Sequence, residues 1–218
     1  MKDFSMIDTY KHKGQRLKLV SELRQKGIAD ETVLTAIEKI PRHLFMDSSL
    51  EIHAYKDQAM PISSGQTISQ PYTVAFQTQL LNVQKNDKIL EVGTGSGYQT
   101  AILCELGAKV YTIERQKELF DKTQILLKKM GYIINGFYGD GYLGLPTYGP
   151  FDKILITAGA PYIPEQLILQ LKVNGLLVAP IGNTNVQIMT VLKKITESNT
   201  EIKEHGSFIF VPMLKGKA

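Results

Sequence analysis

From Lys88 onward, short apolar runs alternate with amphipathic stretches, and this alternation limits the possible fold more than any other feature of the 218 residues. KILEV, KVYTI, IINGFY, DKILIT, GLLVAP and QIMTVLKK read as strands, with helices near 97–106, 116–130 and 163–172. HGSFIFVP, near the end, reads as one more strand. Strands alternating with helices at this length predict an α/β fold, a doubly wound, mostly parallel sheet covered by helices on both faces. In such a sheet, ligands bind outside the carboxyl ends of the strands.

Ahead of the alternation, apolar residues recur at helical spacing over residues 15–26 and 30–40. Asp30 is placed to cap the second of these helices, and Pro41 ends it. A third helix is expected over 71–81, with Pro71 in its first turn. The expected organisation is one compact unit. Residues 1–70 form an N-terminal helical appendage together with the segment that leads into the third helix, and 71–218 form the core. Apolar residues at 43% and charged residues at 21% are ordinary for a globular chain.

The net charge of +4 does not point to nucleic acid once it is located. Seven Lys/Arg and three Asp/Glu fall in residues 1–26, and the remainder carries 18 of each. An excess confined to one terminal helix is a solvated face. Cys104 is the lone cysteine, so no internal disulfide is possible, and a buried, small apolar role is expected for it. The four histidines are scattered without metal-ligand spacing, so they read as structural and no metal is expected. The first residues lack the apolar core of a leader, and no run of 18 apolar residues occurs. The expectation is a cytoplasmic protein with no membrane and no nucleic acid among its partners.

After the strand KILEV, Gly93, Gly95 and Gly97 give G-x-G-x-G, with Tyr98 where a dinucleotide-binding fingerprint has its third glycine. A P-loop is excluded by the missing Lys-Ser or Lys-Thr. What remains suits a nucleoside ligand with no phosphate. Glu91 precedes the loop and is expected to face a cationic amino group. Glu114 ends the next strand, where a carboxylate can accept both ribose hydroxyls. Gly139-Asp140-Gly141 follows the third strand and offers Asp140 to an adenine amino group. Acids after three successive strands fit S-adenosylmethionine better than NAD. The candidate cofactor residues are Glu91, Gly93, Thr94, Gly95, Gly97, Glu114, Asp140 and Gly141. Taken alone, Glu114 also reads as a surface acid and Asp140 as a turn residue.

Upstream, AYKDQAMPISSGQTISQPYTVAF puts Ser69 and Gln70 at the start of a helix. Backbone N–H groups and a hydroxyl there favour an anion such as a carboxylate, although a plain N-cap role for Ser69 stays open. GQTISQP, LEVGTGSGYQTAIL, VYTIER, GDG, FDKILITAGAP, QLKVNGLLVAPIG and FVPMLKGKA together resemble the protein L-isoaspartate O-methyltransferase family from about residue 15 to 218. The most specific element is GQTISQP, because many methyltransferases share the glycine loop.

The resemblance implies a Rossmann-like methyltransferase core. It also implies methyl transfer from S-adenosylmethionine to the free α-carboxylate of an isoaspartyl residue in a damaged protein or peptide. The ester then closes to a succinimide that hydrolyses back toward aspartate. Carried onto this chain, the resemblance makes Ser69 the catalytic residue and sets Ile68, Gln70, Pro71, Thr157 and Ala158 around the acceptor. Ser63-Ser64 stand where the family more often has Gly-Gln, and Gly159 where it has alanine, which bears on substrate range. A monomer is expected.

An α-carboxyl has a reference pKa of about 3.5, so it is already an ionised nucleophile at neutral pH and needs no general base. Three rivals remain. A methyltransferase acting on RNA, DNA or an amide is weakened by ITAGAP standing where an N/D-P-P-Y/F segment is expected. A nicotinamide oxidoreductase is weakened by the loop. The third is a non-catalytic S-adenosylmethionine sensor.

Overall fold

The computed structural model describes residues 8–218; residues 1–7, the first part of the stretch read as lacking a leader, lie outside the described residues. The apolar runs become the centre of the sheet because they are buried on both faces. In β3 (Lys88–Val92), Leu90 and Val92 enter one core cluster while Ile89 enters another. In β6 (Phe151–Ile156), Ile154 and Ile156 join the first and Leu155 the second. The two-residue period thus feeds both sides of the sheet.

The other strands are β4 (Lys109–Glu114), β5 (Asn135–Tyr138), β7 (Leu171–Gly182), β8 (Gln187–Lys194) and β9 (Thr200–Phe208). The seven-stranded sheet has the order β5-β4-β3-β6-β7-β8-β9. Pairing is parallel from β5 through β7, and β8 and β9 add antiparallel. The chain runs outward from β3 to β5 and then returns to the other side of β3 as β6. The strand order therefore reverses at β3/β6, where ligand crevices form.

The helices are α1 (Tyr10–Gln25), α2 (Glu31–Lys39), α3 (Pro71–Leu81), α4 (Tyr98–Glu105), α5 (Lys117–Lys129) and α6 (Glu165–Leu169). Asp30 caps α2 as the sequence predicts, accepting from the backbone of Thr32 and Val33. Helix α1 starts earlier than its apolar pattern, because Thr9 and His12 form a reciprocal capping box. Side chains of α1 and α2 share one core cluster with Tyr98 and Ala101 of α4 and Leu127 of α5.

Several elements differ from expectation. Helix α6 is only five residues long, because β7 begins at Leu171, well before the expected 175. The strand expected at 205–212 is instead β9, ending at Phe208. Its first residues, TEIKE, alternate weakly because β9 is the outer strand of the sheet. Beyond it the chain crosses to Gly159, which donates to Val211 O at 2.8 Å and accepts from Met213 N at 2.7 Å. Cys104 is half-buried where two core clusters meet, not fully buried. Upstream of α3, β1 (Met60–Pro61) and β2 (Thr67–Ile68) make a short antiparallel ribbon that the sequence did not signal.

Candidate active site

The carboxyl ends of β3, β4 and β6 open on a cavity. Its floor is the glycine loop. Gly93, Gly95 and Gly97 have φ of +97°, +52° and +84°, which glycine adopts without strain. A Cβ on Gly93 would lie 2.5 Å from Thr157 Oγ1. That hydroxyl sits 2.9 Å from Val92 O and 2.6 Å from Gly93 O, so the end of β6 clips the loop in place. From the other side, Thr123 Oγ1 of α5 donates to Gly95 O at 2.7 Å.

Glu114, at the end of β4, lines the cavity and is 5% exposed. Its Oε2 accepts from Gly95 N and its Oε1 from Gln116 N, both at 2.9 Å. Two backbone bonds fix this carboxylate and leave further lone pairs for a ligand. Thr94 and Gly141 also line the cavity. Gly141 belongs there for steric reasons, since a Cβ would sit 2.4 Å from Val92 Cγ1.

Three expected cofactor residues are placed differently. Glu91 does not line the cavity. It is fully buried, and its Oε2 accepts from Thr100 Oγ1 at 2.5 Å and Thr112 Oγ1 at 2.6 Å, beneath the loop. Burial pushes its carboxyl up to about 7, with the two hydroxyl bonds opposing the shift. Gly97 serves helix packing, because a Cβ there would lie 2.6 Å from Thr123 Cγ2. Asp140 accepts from Tyr142 N at 2.9 Å and from Gly216 N at 2.7 Å, and so anchors the last residues of the chain. Those residues run along Arg115, with Ala218 N donating to Arg115 O at 2.8 Å.

Ile68 and Ser69 of the GQTISQP segment form another wall of the cavity, facing Thr157 and Ala158. Ser69 does not cap α3. The cap position is Gln70, whose side chain makes no capping bond, and Ser69 makes no side-chain hydrogen bond among the described residues. Pro71 takes the first helical position and is buried. A second cavity also borders Ser69. Gln70 lines it, with an aromatic wall of Tyr72, Phe76, Phe208 and Phe210. The Tyr72 and Phe208 rings stack at 6.3 Å and 14°. Thr67, Ser69, Thr157 and Val211 line both cavities, so the two chambers adjoin along these four residues.

The histidines are less scattered than their spacing implied. The rings of His12 and His43 lie 3.9 Å apart, tilted by 34°, and with Asp8 they bring ligand-type atoms within 4.8 Å of one another. Each is engaged: both Asp8 oxygens accept from Arg16, His12 Nε2 meets Glu51 at 2.8 Å, and His43 Nδ1 meets the Tyr55 hydroxyl at 2.6 Å. The cluster ties α1 to the segment before β1.

The family model for protein-L-isoaspartate(D-aspartate) O-methyltransferase matches residues 14–218. The chain belongs to this family. It is 58% identical to a protein-L-isoaspartate O-methyltransferase of Christiangramia forsetii over 213 residues, 97% of this chain and 100% of the relative. A Flavobacterium psychrophilum relative of the same name is 59% identical with the same coverage. A Plasmodium falciparum chain assigned to this family, solved with S-adenosyl-L-homocysteine, superposes with a TM-score of 0.79 at 26% identity, covering 91% of this chain and 98% of that one.

As a member of this protein-L-isoaspartate O-methyltransferase family, the chain offers a cavity that fits a nucleoside with a cationic tail. The loop glycines allow close backbone approach, the Glu114 carboxylate stands in the wall, and the buried Oε1 of Gln99 lacks a partner among the described residues. Sequence reading missed Gln77, Tyr98, Gln99, Arg115, Met213 and Leu214, all of which line this cavity. Only FVPMLKGKA carried a signal for the last two. The segment does not fit the strand–helix alternation, and its signal came only from its resemblance to the family.

Proposed function

We propose that this chain transfers a methyl group from S-adenosylmethionine to the free α-carboxylate of L-isoaspartyl residues in damaged proteins and peptides, starting their return to aspartate through a succinimide. The observation that carries the reading is the meeting of the two cavities at Ser69, one suited to a nucleoside and one to a peptide. S-adenosylmethionine supplies an electrophilic methyl group on a sulfonium. Glu114 would hold the ribose hydroxyls, the glycine loop would admit the amino-acid tail, and Gly141 would leave room for the base.

On the acceptor side, Ser69 donates a hydrogen bond to the carboxylate and orients one oxygen toward the first cavity. No residue needs to take a proton, since the acceptor is ionised at neutral pH. The aromatic wall excludes water that would screen the attraction between anion and cation. The alignment of the two reactants is the main contribution of the protein.

In this reading, residues 1–70 act as an appendage that carries the acceptor segment, and 71–218 form the methyltransferase core. No helix among the described residues is long and apolar enough to cross a membrane. We place the protein in the cytoplasm as a monomer that does not act on nucleic acid. Labelled S-adenosylmethionine offered together with an isoaspartyl peptide and RNA should mark the peptide alone. Label in the RNA would contradict the assignment.

A further inference from the structure

Asp57 lines neither cavity, yet it holds the segment that carries Ser69. Its side chain is only 6% exposed. Oδ1 accepts the backbone N–H of Tyr72 at 2.7 Å, while Oδ2 accepts from Gln70 Nε2 at 3.1 Å and from Lys26 Nζ at 2.5 Å. Tyr72 is the second residue of α3, where a helix has a backbone N–H without an internal partner. Gln70, in the cap position, leaves that group unserved. A carboxylate from 15 residues upstream serves it instead, and a negative charge at a helix start is favourable.

The chain leaves Asp57, runs through β1, turns at Ser63–Gly65, returns through β2 past Ser69 and re-enters α3. One side chain therefore ties the exit of this loop to its entry. The far end is tied too. Ser64 Oγ donates to Glu118 at 3.0 Å, and Lys122 Nζ donates to Ser63 Oγ at 3.0 Å, both onto α5. Between these anchors Ser69 has no side-chain bond among the described residues, so the place from which its hydroxyl projects rests on its backbone.

We propose that Asp57 is a positioning residue for methyl transfer, whose carboxylate fixes the start of α3 and thereby aims the Ser69 hydroxyl at the acceptor carboxylate. The proposal rests on the acceptor reading given above. It predicts damage to the acceptor end of the site and little at the cofactor end, where Glu114 and the glycine loop have their own supports.

The test compares the parent protein with Asp57→Ala and Asp57→Asn. It measures steady-state kinetics on an isoaspartyl peptide at saturating S-adenosylmethionine, and the Kd for S-adenosylhomocysteine by calorimetry. Asp57→Ala should lower kcat/KM for the peptide about 10-fold or more. Asp57→Asn should lose only about threefold, because its Oδ1 still accepts from Tyr72 and the Gln70 amide can turn to accept from the new amide. In both variants the Kd should stay within about twofold of the parent. If Asp57→Ala does not fold, the Asn variant carries the same contrast between acceptor kinetics and Kd. Parent-like acceptor kinetics in the variants, or a loss of cofactor affinity equal to the loss in kcat/KM, would overturn the proposal. A parent with no activity on the peptide would sink the acceptor reading and this proposal with it, while an active parent beside unaffected variants would sink this proposal alone.

Discussion

At Ser69 two roles compatible with the sequence, helix cap and acceptor ligand, give different outcomes. The structure removes the first, since the cap position is Gln70 and Ser69 bonds to no backbone amide among the described residues. Ser69→Ala should therefore leave the melting temperature near that of the parent. Its turnover on an isoaspartyl peptide should fall about 10-fold or more, as expected for losing one hydrogen bond to a charged group of about 1.5–3 kcal/mol. A well-folded variant with full turnover would deny Ser69 the role. Glu91 makes a second test. Its folded carboxyl sits at about 7 against a reference of 4.5, so between those values the folded chain keeps a proton that the unfolded chain releases. Stability from this group is present below 4.5 and is lost as pH rises through 7, by up to about 3 kcal/mol. Glu91→Gln should flatten that loss when urea unfolding is compared at about pH 5 and pH 8. Identical pH slopes in the two proteins would mean that Glu91 is already ionised. Sequence alone could place Glu91 at a strand end but could not say which way it faces. The hydroxyls that turn it inward, from Thr100 and Thr112, come from a different helix and a different strand.

Elements were legible in the sequence where burial on both faces made the apolar runs continuous, as in β3 and β6, and where caps were local, as at Asp30 and Pro71. They were less legible where partners are distant. The exposed outer strand β9 lacks a strong pattern, the short α6 gives way to a longer β7, and the segment holding the ribbon of β1 and β2 depends on distant anchors from Lys26, just past α1, and from α5. The glycine loop shows both cases. Its residues are obvious, yet Gly97 proves to be required by packing between α4 and α5. Gly97→Ala would place a methyl 2.6 Å from Thr123 Cγ2 and 3.2 Å from Leu127 Cδ1, at a φ of +84°. A loss of roughly 1–3 kcal/mol in stability is expected, read as a lower urea midpoint with an unchanged slope. An unaltered midpoint would show that the two helices do not press on the loop.

For the whole molecule, the sheet reverses its strand order at β3/β6 and opens the first cavity there, while the segment before α3 and the chain beyond β9 close over it and form the second. The last residues, tied to Asp140 and Arg115, were the part of the site least visible in the sequence, because they reach it only after the full sheet is laid down. The central claim is that the junction of the two cavities selects an α-carboxylate displaced by one carbon along the backbone. The most direct measurement is the rate of methyl transfer from labelled S-adenosylmethionine to two peptides of one sequence, one with isoaspartate and one with aspartate at the same position. The isoaspartyl peptide should be methylated and its aspartyl twin left essentially untouched, because only the isomer presents a free α-carboxylate there. Equal methylation of both peptides, or of neither, would contradict the account.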